Sequence, residues 1–99
     1  MTLLRIAFWI TIMMAWTWPA LSAAAPPPPG AASCSGCHSP RATAASPVAR
    51  LNGRDAGELY AAMVAFRDGS RPATVMTRIA KGFSDDELHA ITAWLAAQK

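Results

Sequence analysis

Apolar residues recur at helical spacing in the stretch from Asp55 to Gly69. On one face of a helix they would bring together four apolar side chains: Leu59, Ala62, Met63 and Phe66. Asp55 is placed to cap the first turn, with Glu58 three residues later completing a capping-box-like start. Gly69 is placed to end the helix, because glycine readily adopts the left-handed conformation found there. We therefore predict an amphipathic helix in this stretch.

The last sixteen residues, from Ser84 to Lys99, carry a second and clearer helical pattern. Ser84 and Glu87 have the spacing of a capping box, and the acidic residues that follow Ser84 face the positive end of the helix dipole. The predicted buried stripe consists of Leu88, Ile91 and Leu95, with Thr92 on the same side and Trp94 on its flank.

The segment between these two patterns, Ser70 to Phe83, contains Pro72 and Gly82 and is predicted to be a loop. No part of the chain alternates apolar and polar residues as a half-buried strand would. We therefore expect an all-α fold.

The N-terminal segment has the three regions of a secretory signal peptide. Met1–Arg5 is positively charged, Ile6–Trp18 is an apolar run, and small residues follow up to Ala25. Cleavage is predicted after Ala24, which makes residues 1–24 the signal. The alternative is an uncleaved anchor from Ile6 to Ala25, about one bilayer span, although Pro19 would interrupt it. Either interpretation predicts export, to a periplasmic location that is soluble or membrane-anchored.

The remainder of the chain is predicted to be one small domain preceded by a spacer. Residues 25–30 read Ala-Pro-Pro-Pro-Pro-Gly, a run that favours an extended polyproline conformation. Residues 31–99 form the domain. Hydrophobic residues make up 53% of the chain, but the signal and the many alanines account for much of that fraction. A domain of this size is near the lower limit for a self-sufficient apolar core, so we expect a further stabilising group.

Cys34, Cys37 and His38 lie within five consecutive residues and include both cysteines of the chain. Cys-x-x-Cys-His is the spacing of c-type haem attachment, in which both thiols bond to the haem and the histidine binds the iron. A structural zinc site would need four protein ligands, more than this motif supplies. A thioredoxin-like dithiol normally lies in a βαβ unit, which the predicted all-α fold does not contain. We therefore predict one covalent haem c, with a haem-free redox dithiol as the alternative.

Three residues are candidates for the second axial ligand of the iron. Met63 lies on the apolar stripe of the first predicted helix, where methionine commonly fills gaps in a core. His89 lies away from the stripe of the last helix and is expected to be solvated. Met76 lies in the predicted loop, where no helical stripe accounts for it, and we favour it as the ligand. Met63, His89 or an open position remain the alternatives.

From Cys34 to Lys99 the chain resembles class I cytochromes c. The stretches AFRDGSRP and ATVMTRIAKGFSDDEL resemble the cytochrome subunit of flavocytochrome c sulfide dehydrogenase in particular. The resemblance implies a small cytochrome c fold around one haem, an axial sulfur at Met76 and a Pro47 carbonyl that bonds the His38 ring. Family members usually have a longer helix before the haem motif. This departure leaves the usual packing of N- and C-terminal helices open, with Trp94 covering the haem or a partner as the alternative.

These features predict an electron-transfer protein or subunit that is not itself an enzyme, because two axial ligands leave the iron no open position. The resemblance implies an FAD-containing sulfide dehydrogenase subunit as the electron donor. The alternative is a free shuttle between other periplasmic redox proteins. The formal net charge is +3, which is compatible with a basic rim that guides an acidic partner and too modest to suggest nucleic acid binding.

Overall fold

The structure is a computed structural model that describes residues 25–99, and these residues form four helices without a strand. The helices are α1 (Ala31–Cys34), α2 (Ala56–Asp68), α3 (Met76–Ala80) and α4 (Asp85–Ala97). The all-α prediction is confirmed for this part of the chain. None of these helices is long and apolar enough to cross a bilayer. The predicted signal peptide, residues 1–24, lies outside the described residues.

Helix α2 begins and ends where the sequence predicts. The Asp55 carboxylate accepts a 2.8 Å hydrogen bond from the Glu58 N–H, and Gly69 follows the last turn with φ +85°. The Glu58 side chain does not return to the first turn, however, because its carboxylate pairs with Arg54. The start of α2 is therefore capped from one side only.

Helix α4 has the complete capping box that its sequence predicts. The Ser84 hydroxyl accepts a hydrogen bond from the Glu87 N–H, and the Glu87 carboxylate accepts one of 2.8 Å from the Ser84 N–H. The Ser84 N–H and the Ser84 hydroxyl, which donates to the same carboxylate at 3.1 Å, hold the pKa of Glu87 below its usual value. The predicted stripe is buried as expected: Leu88, Ile91, Thr92 and Leu95.

The segment predicted as a loop between the two long helices contains a short helix, α3. The N–H groups of Arg78 and Ile79 both bond to the Val75 carbonyl, at 2.9 and 3.2 Å. Met76, Thr77 and Ala80 are the more buried residues, and Ala80 is fully buried. Helix α3 packs against α2. The loop prediction failed here because five residues are too few for a recognisable period, and packing on α2 determines the conformation.

A single helical turn, α1, precedes the haem motif and packs against α4. Ala31 is fully buried in the apolar core with Leu59, Ile91 and Leu95. The Trp94 indole N–H donates a 2.9 Å hydrogen bond to the Ala25 carbonyl. The packing of the first helix on the last, which the sequence left open, is therefore present. A methyl side chain is small enough for one turn of helix to dock closely on α4, and Trp94 bonds to the proline-rich segment.

Candidate functional site

The haem motif continues the helical turn that α1 begins. The N–H groups of Cys37 and His38 both bond to the Cys34 carbonyl, at 3.3 and 2.8 Å. Residues three and four apart in such a turn share one side. The local fold therefore places Cys34, Cys37 and His38 within one hydrogen-bonded turn.

The two cysteines differ in their surroundings. Cys34 is partly buried and packs against the core cluster, whereas Cys37 is exposed, and both are free thiols. Burial raises the pKa of the Cys34 thiol above its usual value. Cys34 therefore lies at the edge of the apolar core, and Cys37 is open to solvent.

The His38 ring is held by a backbone carbonyl. Its Nδ1 lies 2.6 Å from the Ala49 oxygen, and a carbonyl can only accept, so Nδ1 carries the proton and donates. The neutral ring then has its lone pair on Nε2, which is the form that binds a metal. The 39–49 loop therefore selects the tautomer that iron ligation requires.

The acceptor of this hydrogen bond differs from the expected one, which was the Pro47 carbonyl. Two turns shape the loop: Ala42 N–H bonds to the Ser39 carbonyl and Ser46 N–H to the Thr43 carbonyl, both at 3.0 Å. With this path, Ala49 reaches the ring, and Pro47 is exposed two residues earlier. Every residue has a backbone carbonyl that could accept this hydrogen bond. The amino-acid sequence therefore contains no signal that singles out Ala49.

The candidates for the second axial ligand lie on three helices. Met76 is the first residue of α3, and Met63 lies in the middle of α2; both side chains are partly buried. His89 on α4 is exposed, as predicted, and its ring stacks on Tyr60 with centroids 3.9 Å apart and planes 10° apart. The sequence analysis missed this stack, which links α2 to α4 and gives His89 a structural role on the surface.

The described residues fit a covalently attached haem in two respects. The first is the donor set of two thiols beside an imidazole whose Nε2 is free to bind iron. The second is a small core: between residues 25 and 99 the buried apolar residues are Ala31, Leu59, Ala80, Leu88, Ile91 and Leu95. Larger apolar side chains such as Met63, Phe66 and Met76 are only partly buried and have apolar surface left to cover. No group of three His, Cys, Asp or Glu residues that could hold a bare metal ion occurs in this part of the chain.

Comparison with known proteins shows that the chain is similar to a curated bacterial cytochrome subunit. The cytochrome subunit of sulfide dehydrogenase from Chlorobaculum tepidum is 37% identical over 59 residues, which cover 60% of this chain and 54% of that protein. The chain thus spans about half the length of the curated relative it matches. No profile of a known protein family matches the chain. The resemblance inferred from the sequence is confirmed: the chain is similar to a cytochrome subunit of sulfide dehydrogenase.

Proposed function

We propose that this protein transfers electrons through one covalently bound haem c. Cys34 and Cys37 would hold the haem by thioether bonds, and His38 and Met76 would be the axial ligands of its iron. The observation that carries the proposal is the hydrogen bond between His38 Nδ1 and the Ala49 carbonyl. It prepares Nε2 for iron in the residue that directly follows the second cysteine.

When bound, the haem supplies a one-electron Fe(III)/Fe(II) couple, and methionine ligation favours the reduced state. The residues of the chain would hold the haem and shield it from solvent. The Ala49 carbonyl fixes the orientation of the His38 ring and increases its basicity as a ligand. Methionine at the second axial position would leave no place for a substrate, which suits a carrier and not a catalyst.

The proposed electron donor is an FAD-containing sulfide dehydrogenase subunit in the periplasm. The name of the C. tepidum relative, a cytochrome subunit of sulfide dehydrogenase, supports a role as the electron-carrying subunit of such a complex. Residues 1–24, interpreted as a cleaved signal or an anchor, support export. A c-type haem protein in the periplasm is consistent with export. A free shuttle to another periplasmic redox protein is the alternative.

The test is purification of the native protein from its own cells, followed by acid-acetone extraction. Covalent haem stays with the protein, and its spectrum should be that of low-spin iron with a reversible one-electron couple. Cys37→Ala should sharply lower the yield of haem protein, whereas Ser35→Ala, two residues away in the same turn, should not. A chain without haem that cycles between dithiol and disulfide would contradict the proposal.

The same purification distinguishes the two proposed settings. A flavoprotein that copurifies in a one-to-one ratio would support the subunit, since permanent complexes survive purification. A haem protein that elutes alone and exchanges electrons with several acceptors would instead support the shuttle. In either result, the identity of the electron donor is decided separately from the presence of haem.

A further inference from the structure

Helix α3 presents an apolar pair to solvent. Val75, the residue that caps α3, is 56% exposed, and Ile79, four residues later, is 41% exposed. The Ile79 N–H bonds to the Val75 carbonyl at 3.2 Å, so one helical turn joins the two and places their side chains on one face. The more buried residues of α3 are Met76, Thr77 and Ala80, on a different side of the helix. Helix α3 therefore has an inward face and a separate exposed apolar face.

Three cations lie close to this exposed pair in the sequence: Arg71, Arg78 and Lys81. All three are exposed, and the segment from Ser70 to Ser84 contains no acidic residue. The ion pairs found among residues 25–99 involve other cations, Arg54 with Glu58 and Arg67 with Asp85. The positive charge around α3 is therefore not neutralised by a carboxylate of the described chain.

Most of the acidic side chains are engaged elsewhere. Asp55 and Glu87 cap helices, and Asp68 accepts a 2.8 Å hydrogen bond from the Ser70 N–H. Arg71 is also held in place, because its guanidinium lies 4.9 Å from the centre of the Phe66 ring. At least one of the three cations is therefore a positioned charge and not a freely moving one.

We propose that the α3 surface, defined by Val75, Ile79, Arg71, Arg78 and Lys81, is the docking site for the redox partner protein. The fitting partner presents a small apolar area bordered by Asp and Glu side chains. Two exposed aliphatic side chains with a charged border match the small interfaces of transient electron-transfer complexes. The charged border would steer the encounter, and the apolar pair would bury surface on contact.

The docking proposal rests on the proposed function, because α3 begins with Met76, the proposed axial ligand. A partner docked on α3 would contact the element that holds the iron ligand. An anionic membrane is the other surface that basic and apolar residues attract. It is the weaker fit, because one five-residue helix with two aliphatic side chains offers little area for insertion.

The test uses the haem-loaded full chain and reduced flavodoxin, a small acidic flavoprotein, as the probe. Stopped-flow spectroscopy gives the second-order rate of electron transfer at low and at about 0.1 M salt. Arg78→Glu with Lys81→Glu should slow the reaction about tenfold at low salt, the lower end of electrostatic steering effects. Val75→Ser with Ile79→Ser should slow it severalfold and leave its salt dependence unchanged.

Two single-residue controls lie elsewhere and are compared with the single variants Arg78→Glu and Ile79→Ser. Lys99→Glu reverses an exposed charge at the C-terminus, and Val48→Ser removes an apolar side chain that is 38% exposed. Each should change the rate less than twofold. Equal slowing by Lys99→Glu would show that only net charge matters, and unchanged rates in the α3 variants would exclude the surface; either result overturns the proposal.

Binding and reduction are measured separately, so that this proposal and the proposed function can fail independently. Surface plasmon resonance with immobilised flavodoxin reports docking without electron transfer, and ascorbate reduces the haem without a protein partner. Normal reduction by ascorbate with unaltered binding of the α3 variants would remove the docking site and leave the carrier intact. Binding to phosphatidylglycerol vesicles that depends on α3, with unchanged flavodoxin rates, would assign the surface to a membrane and contradict the proposal.

Discussion

The ligands proposed for the haem are positioned by different kinds of local structure. His38 follows a rigid turn, and its ring is oriented by the Ala49 carbonyl. Met76 begins a helix that is only five residues long. Since a short helix depends on packing for its stability, the sulfur ligand is the one whose position depends most on the rest of the fold.

Replacement of Met76 by alanine is the first prediction at this scale. Met76→Ala should open the sixth coordination position, lower the reduction potential and allow carbon monoxide to bind reduced haem, because the thioether that favours ferrous iron is gone. The measurement is the visible spectrum of the ferric protein. The weak long-wavelength band that sulfur ligation produces should disappear.

Met63→Ala is the matched control, since it removes the same side chain from the neighbouring helix α2. Its side chain is partly buried, so the loss in folding free energy should be about 1 to 2 kcal/mol, below the range for fully buried methionine. The long-wavelength band should remain. Loss of the band in Met63→Ala and its retention in Met76→Ala would show that Met63 is the ligand.

At the scale of the helices, the two long helices differ in how their first turns are capped. The capping box of α4 is complete, whereas that of α2 is open because Arg54 pairs with the Glu58 carboxylate. Hydrogen bonds from Ser84 lower the pKa of Glu87. A carboxyl group whose pKa is lowered by folding stabilises the folded state only while it is ionised.

The stability of α4 should therefore depend on pH in the acid range. The contribution of Glu87 is complete above the pKa of an unfolded glutamate, about 4.3, and is lost as the pH falls through its lower pKa in the folded state. Glu87→Gln keeps the box geometry but cannot titrate, so its stability should fall less steeply below about pH 4.3. The measurement is urea unfolding followed by circular dichroism between pH 3 and 7.

Asp86→Asn is the control, because it removes a carboxylate from the same turn of α4 without altering the capping box. Its acid-dependent loss of stability should follow that of the unmodified protein more closely than Glu87→Gln does. If the two variants behave alike, the effect belongs to total charge and not to the box.

The docking of α1 on α4 requires glycine at residue 30. Gly30 has φ +87°, and a Cβ there would lie 2.7 Å from Phe83 Cε1. Gly69 has nearly the same φ, +85°, but nothing within 4 Å of an added Cβ. The two glycines therefore share the conformational requirement and differ in the steric one.

Gly69→Ala should lose about 1 to 2 kcal/mol of folding free energy, the cost of a left-handed alanine. Gly30→Ala should lose about 1 to 3 kcal/mol more, the range for overpacking a core, since Phe83 must move. Thermal or urea unfolding of both variants measures the difference. Equal losses would mean that the Phe83 ring moves aside freely.

At the scale of the whole described domain, residues 25–99 have a small core for their number. Six apolar residues are buried among residues 25–99, and none of them is aromatic. A domain of this size ordinarily needs a covalent or metal staple. The proposed haem would supply a large apolar surface tied to the chain at both cysteines.

Removal of the attachment should therefore weaken the entire fold. Cys34→Ala with Cys37→Ala prevents covalent attachment, and we expect lower helix content and a broad thermal transition well below that of the haem protein. Far-UV circular dichroism with melting curves measures both. Ser33→Ala with Ser35→Ala, adjacent exposed positions in the same segment, should leave haem and melting temperature nearly unchanged. A sharp transition at the same temperature without haem would contradict this role.

The sequence was sufficient for features that depend on local chemistry. The caps that Asp55 and Ser84 form at α2 and α4 were predicted, because a capping residue acts on its own first turn. The Glu58 half of the predicted α2 box did not form, since Glu58 pairs with Arg54.

The spacing of Cys34, Cys37 and His38 predicts covalent haem, because few other sites use two thiols and an imidazole within five residues, and this assignment stays a prediction. The stretch around Met76 was sufficient to predict a resemblance to a cytochrome subunit, and the comparison confirms this similarity.

Contacts between distant residues were decided only by the tertiary structure. The Ala49 carbonyl bonds His38 across eleven residues, the Ala25 carbonyl bonds Trp94 across sixty-nine, and His89 stacks on Tyr60 from another helix. Helices α1 and α3 are too short for their own sequence to stabilise them, so packing on α4 and α2 determines them. Backbone carbonyls are the same in every residue, and which one reaches a given side chain depends on the path of the folded chain.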